Sequence, residues 1–274
     1  MRAVITLSRQ QGFTLIELVV VIVLLGIISF GSTQYIVNSA ESYMDTARRE
    51  RQGSAARVTV EKISRELRNA LPNSVRTSVA NDCIEFVPVL GGSIYTSLPL
   101  MTASNGFSSV PFIVDGAPDI GRVAVYPLNT DEIYDLSATS AAASSVSPRV
   151  TSSQAGLEGN AEVDVQLDRE HQFPLDSPGR RWFMVSDPVS FCLDGERLYR
   201  YSDYGFFAIQ PLPGGVNLTE SVPQRHLLAI GTSGNFVVQA ATLQRNALVQ
   251  LNLDFRERGE GVTINHEVQL RNVP

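Results

Sequence analysis

"GFTLIELVVVIVLLGIISF", residues 12–30, holds one carboxylate, Glu17, in a run otherwise suited to hydrocarbon. No charged residue follows from Leu18 to Ala40, and that stretch exceeds the roughly 20 residues a helix needs to cross a bilayer. Ahead of it, MRAVITLSRQQG (1–12) carries Arg2 and Arg9 and no acid. A basic flank of this kind stays in the cytoplasm, so the rest of the chain is expected to be exported. An ordinary secretory signal places its apolar region before a small-residue cleavage site. Here the order is reversed: Gly12 stands at the polarity change and the apolar run comes after it.

Composition narrows the possibilities further. With 274 residues, 43% of them hydrophobic, and a net charge of −6, the chain suits one large or two small folded units and offers no basic footprint for nucleic acid. A soluble part of about 200 residues can bury a sizeable core. The two cysteines, Cys83 and Cys192, form neither a zinc set nor a CxxC pair, which leaves one disulfide or two free thiols. His171, His226 and His266 are far apart, and no HExxH, GxSxG, P-loop or GxGxxG pattern occurs. No catalytic set and no cofactor are therefore expected. The acids Asp115/Asp119 and Asp131/Glu132/Asp135 lack EF-hand spacing and read as solvated loops, so no metal site is expected.

The run Gly12-Phe13-Thr14-Leu15-Ile16-Glu17-Leu18 behind a short basic leader resembles the class III signal of type IV pilins and type II secretion pseudopilins. The resemblance implies that a prepilin peptidase cuts after Gly12 and methylates the new amino group of Phe13. It divides the chain into a leader (1–12), a transmembrane half of a stem helix (13–40), an amphipathic half (41–71) and a periplasmic β-rich pilin domain (72–274). Glu17 then falls fifth from the new terminus, where such proteins have their glutamate. An ionised side chain in hydrocarbon costs roughly 2.5–3.5 kcal/mol on insertion scales and needs a partner. Its own helix offers no cation before Arg48; the nearest is the Phe13 amine, created only by cleavage. At low effective dielectric that attraction is strong enough to set the register of one stem against another.

The stretch "FPLDSPGRRWFMVSDPVSFCLDGERLYRY" and the ending "HEVQLRNVP" resemble, less specifically, the large minor pilins of the mannose-sensitive haemagglutinin pilus system (MshO type). The implied partners are the peptidase, other major and minor pilins and an inner-membrane assembly platform. Alternatives are a J-like pseudopilin of type II secretion and an adhesive tip module. In one respect the chain departs from many major pilins: their stem proline is replaced by Gln34.

Beyond the membrane run, Ala56, Val60, Ile63, Leu67 and Leu71 recur at helical spacing until Pro72 stops the pattern. A helix from about Phe13 to Ala70 is predicted, roughly 87 Å at 1.5 Å per residue. Asp45/Arg49, Glu61/Arg65 and Lys62/Glu66 are candidate i,i+4 pairs, and the polar block Arg48 to Ser54, with Gly53, is a candidate bend. From Asn73 onward the pattern turns to strands. Val249, Leu251, Leu253 and Phe255, then Val262, Ile264, Val268 and Leu270, alternate on either side of Gly259-Glu260-Gly261, a hairpin in which His266 takes an apolar-side position. "VSFCLDGERLYRY" is a second hairpin, turning at Asp194-Gly195. Shorter strands are predicted at 84–87, 122–126, 182–186 and 236–239. The expected class is α+β: a stem helix on an antiparallel sheet, with a large loop insertion.

That insertion is 137–156, where 14 of 20 residues are Ser, Ala or Thr, too poor in apolar surface to form a core and predicted to be an exposed loop. In an oxidising periplasm Cys83 and Cys192 are expected to pair, since each alternates away from its strand's strongest apolar side; two buried free thiols are the alternative.

Overall fold

The computed structural model describes residues 12–111, 121–136, 144–153, 162–215, 217–218, 225–239, 246–257 and 260–270. The chain forms two compact units, one ending at Arg51 and one starting at Gln52. Helix α1, Leu15–Arg68, belongs to both and is assigned without a break through Gln34 and Gly53.

In the first unit α1 buries nothing. Its most apolar stretch has a mean hydropathy of 2.6 over 18 residues with none buried, long and apolar enough to cross a membrane. The few polar side chains serve their own helix: Thr33 Oγ1 donates to the Ser29 carbonyl at 2.8 Å and Gln34 Nε2 to Asn38 Oδ1 at 3.3 Å.

In the second unit α1 turns one face inward. Ala56, Val60, Ile63 and Leu67 are buried at three-to-four spacing, as the apolar stripe predicts. Tighter i→i−3 bonds from Asn69 and Ala70 end the helix, and Pro72 cannot continue it because it has no N–H. Of the predicted i,i+4 ion pairs, Glu61/Arg65 and Lys62/Glu66 do not form among the described residues. Glu66 instead meets Arg200 at 2.9 Å, because a half-buried carboxylate gains more from a fixed guanidinium than from a mobile lysine on its own helix. Asp45 pairs with Arg48 at 3.4 Å.

The strands follow in chain order: β1 Arg76–Thr77, β2 Cys83–Phe86, β3 Val89–Ile94, β4 Ser104–Ser109 and β5 Arg122–Ala124; then, after a short helix α2 Asp131–Tyr134, β6 Val146–Ser153, β7 Val163–His171, β8 Arg181–Val185, β9 Val189–Asp194, β10 Arg197–Tyr201, β11 Arg225–Ile230, β12 Thr232–Gln239, β13 Leu248–Glu257 and β14 Glu260–Gln269. They make three antiparallel sheets, ordered β1-β2-β9-β10-β11, β12-β13-β14 and β3-β8-β5-β6-β7-β4. One core joins the α1 stripe to Ile84, Phe86, Phe191 and Leu198 of the first sheet and Phe236, Val249, Leu251 and Leu253 of the second. The period-two pattern of the last hairpin is thus burial against α1. Where β11 passes into β12, Gly231 has φ +66° and a Cβ there would lie 1.9 Å from the Arg256 carbonyl oxygen, so no larger residue fits.

The third sheet is inserted between β2 and β9. Its outer strands meet at a Tyr95–Ser109 bridge, with the Val110 N–H donating to the Ile94 carbonyl and the Thr96 N–H to the Ser108 carbonyl, both at 2.9 Å, so the six strands close on themselves. Trp182 fills the interior. It is fully buried, edge-on to Phe107 at 5.4 Å, and its indole N–H donates to Ser109 Oγ at 2.8 Å. The predicted loop 137–156 is corrected here: its described part, 144–153, contributes β6, and Val146 and Val150 are buried. The small residues flanking these valines masked a short alternating pattern. Residues 137–143 and 154–156 of the predicted loop lie outside the described residues, as do the leader up to Gln11, Asp115 and Asp119, the tip of the last hairpin and the final four residues. The other hairpin is shifted by one residue. Asp194 pairs with Arg197, leaving Gly195-Glu196 as the loop, with Gly195 at φ +61°, the glycine-first arrangement of a type II′ turn.

The face of the first sheet turned away from α1 is polar at its centre. Cys83 and Cys192 are direct partners on β2 and β9 and are bonded to each other, against Tyr199, Tyr201 and Leu218. With the cysteines 109 positions apart in sequence, replacing both by Ala is expected to lower stability by about 2–5 kcal/mol. A urea midpoint unchanged from that of the parent chain would refute this. Beside the bridge, Glu85 is fully buried. Arg76 Nε donates to its Oε2 at 2.5 Å and the Tyr204 hydroxyl to its Oε1 at 2.8 Å. Arg76 also donates to the Phe207 and Ala208 carbonyls at 2.7 Å and lies 3.6 Å over the Tyr134 ring, so one guanidinium ties the segment after β10 to the sheet. Burial pushes the Glu85 carboxyl above its usual range, against the opposing pull of Arg76 and of the Tyr204 hydrogen bond.

Candidate functional site

The sequence concentrates its specific signal at the start of α1. Gly12, Phe13 and Thr14 are non-helical and exposed, and α1 begins at Leu15. The Gly12–Phe13 peptide therefore lies in non-helical chain, just ahead of the first helical residue. A Cβ placed on Gly12 would meet nothing within 4 Å, and Phe13 is 82% exposed. An accessible, non-helical peptide beside a residue without a side chain is what a protease cleft can accept.

Thr14 starts the helix. The Glu17 N–H donates to Thr14 Oγ1 at 3.3 Å and the Leu18 N–H to the Thr14 carbonyl at 3.2 Å. This is the N-cap role, and Thr14-x-x-Glu17 has the spacing of a capping box. In the sequence Thr14 stands out only as part of the Gly12–Leu18 run, and the Thr-x-x-Glu spacing is the signal that marks it as a cap. Glu17 thus sits in the first turn of α1, where the helix dipole favours a negative side chain. Among the described residues no side-chain cation pairs with it. Gly12, Phe13 and Glu17 fall within the first turn and its approach. Cys83 and Cys192 lie in the other unit, as a crosslink of the sheet.

Elsewhere among the described residues nothing assembles into a reacting set. His171 is buried edge-on to Phe173 with Nε2 3.0 Å from the Ser144 carbonyl, and burial lowers its affinity for a second proton. His226 and His266 lie on β11 and β14. Glu132 accepts from the Leu128 N–H, Asn129 Nδ2 and Ser145 Oγ, a role in holding α2 in place. Among the described residues no three His, Cys, Asp or Glu side chains gather as a metal site.

Comparison with known proteins bears on this same end of the chain. Residues 7–33 match the family model described as the prokaryotic N-terminal methylation motif, the type IV pilin or prepilin-type signal. No curated protein and no solved structure matches the chain.

Proposed function

We propose that this chain, with its prepilin-type signal, is a minor pilin: a non-enzymatic structural subunit cleaved after Gly12, methylated on Phe13, and incorporated into a type IV pilus at initiation or at the tip. Before assembly it is held in the inner membrane by the apolar half of α1, with the remainder in the periplasm, where it meets other pilins and the assembly platform. The observation that carries this reading is the order of residues 7–33: a small residue, then a threonine-capped helix start with one glutamate, then an uncharged membrane-length run. Retaining the apolar run after cleavage leaves this subunit a hydrophobic stem that can pack against the stems of its neighbours in a filament core. A type II secretion pseudopilin fits the same signal and is the second reading; the closeness to mannose-sensitive haemagglutinin minor pilins rests on resemblance alone. An adhesive tip module is the weaker third.

Mass spectrometry of the protein purified from peptidase-positive cells is expected to find methylated Phe13 as the first residue, and the intact leader in peptidase-deficient cells. Filaments forming around a chain that keeps residues 1–12 would refute the proposal. Pull-down of the full chain in detergent is expected to recover other minor pilins, whereas recovery of secretion pseudopilins alone would favour the second reading.

A further inference from the structure

We propose that the open edge of β14, with the basic stripe of α1 beside it, binds an extended acidic segment of a partner protein as an added strand. Two independent features converge there, and neither depends on which filament the chain enters.

The first is the edge itself. β14 runs ten residues and uses one side for β13, in register from Leu248–Gln269 to Glu257–Glu260, while no described strand takes the other side. Exposed edges are usually blocked by lysine, proline, a bulge or brevity. β14 is long, regularly paired and contains no Lys, Arg or Pro; its two acids are Glu260 at its first position and Glu267, which alternates to the face away from Ile264 and His266. It is therefore a ready template for another strand, with main-chain hydrogen bonds supplying affinity and alternate side chains supplying specificity.

The second is what lies alongside. An open groove of about 630 Å³ separates this strand from α1, with Val58, 69% exposed, and Ile264 as its apolar surfaces. Arg57, Lys62 and Arg65 line it against one carboxylate, Glu61, and none of the three cations has an ion-pair partner among the described residues. This is a local reversal of sign on a chain whose net charge is −6. His266, opposite Leu251 on β14, also lines the groove, and its Nε2 is buried with no hydrogen-bond partner among the described residues. A buried polar atom without a partner is costly, and a carboxylate arriving in the groove would accept from Nε2–H. Because side chains alternate along a strand, a segment with an acid at every second position would direct all its carboxylates at this stripe.

The test uses the full chain in detergent micelles and a short fluorescent peptide alternating glutamate with valine. The expected result is binding about tenfold tighter than that of the same peptide with lysine for glutamate, lost when alternate peptide nitrogens are methylated. Arg57→Glu, Lys62→Glu and Arg65→Glu together should invert the preference, and His266→Ala should weaken acidic-peptide binding several-fold. If the triple change lowers the melting temperature, Lys62→Glu alone carries the same comparison. Equal binding of the two peptides or indifference to nitrogen methylation would overturn the proposal. So would a charge-dependent gain seen only with phosphatidylglycerol vesicles and with neither peptide.

Discussion

Glu17→Val is expected to reach the inner membrane in full amount and to be missing from filaments. Removing a carboxylate from hydrocarbon relieves a cost of roughly 2.5–3.5 kcal/mol, so insertion should be unchanged or improved. On the proposed reading, what is lost is the one negative group in the otherwise uncharged membrane half of the stem (13–40), and with it the partner for a neighbour's new amino terminus. The Thr14 cap supplies a competing explanation, because Glu17 also occupies the position that completes a capping box. Glu17→Gln separates the two, since a glutamine can serve the capping box but carries no charge. If charge decides, the glutamine variant fails to assemble as fully as the valine one; if the cap decides, it assembles and Thr14→Val does not. Immunoblots of membranes and sheared filaments read both outcomes. Normal incorporation of Glu17→Val would eliminate pairing as the basis of register.

Glu85→Ala is expected to cost about 3–5 kcal/mol, the range for breaking a buried ion pair by removing one partner. The change strips Arg76 of its carboxylate and the Tyr204 hydroxyl of its acceptor at the centre of the first sheet. Glu85→Gln isolates the charge from the shape. The folded carboxyl is shifted up, chiefly by burial, so the folded chain holds the proton more tightly than the unfolded one. Its contribution to stability is fully present below the unfolded value near 4.5 and is lost as pH rises through the raised folded value. In urea titrations at a series of pH values, the parent should lose stability across that window relative to Glu85→Gln. Parallel pH profiles for the two chains would show that Glu85 does not titrate differently on folding.

The helix and its inward stripe were legible because burial repeats at three-to-four spacing and ends at a proline, both local properties. The last hairpin was legible for the same reason at period two. The inserted sheet was legible only in part: β5 and β8 fall on the strands predicted at 122–126 and 182–186, but β6 is flanked by serine and alanine, and its two buried valines supply too little contrast to stand out in a window. Glu85 was also hidden. In the sequence it is one acid between Ile84 and Phe86, and only the approach of Arg76 and Tyr204 explains why it tolerates the interior. In the candidate site, Thr14 was visible as a residue type, but its capping bond shows only once the start of α1 is placed.

The closed six-stranded insertion enters after Pro88 and leaves at Ser186, whose N–H donates to the Pro88 carbonyl at 3.0 Å. Entry and exit thus stand side by side, like the two pins of a plug in its socket. Lengthening or shortening the outer strands would leave β2 paired with β9, provided the socket keeps Tyr134, whose hydroxyl donates to the Ser74 carbonyl at 2.8 Å beneath the Arg76 guanidinium.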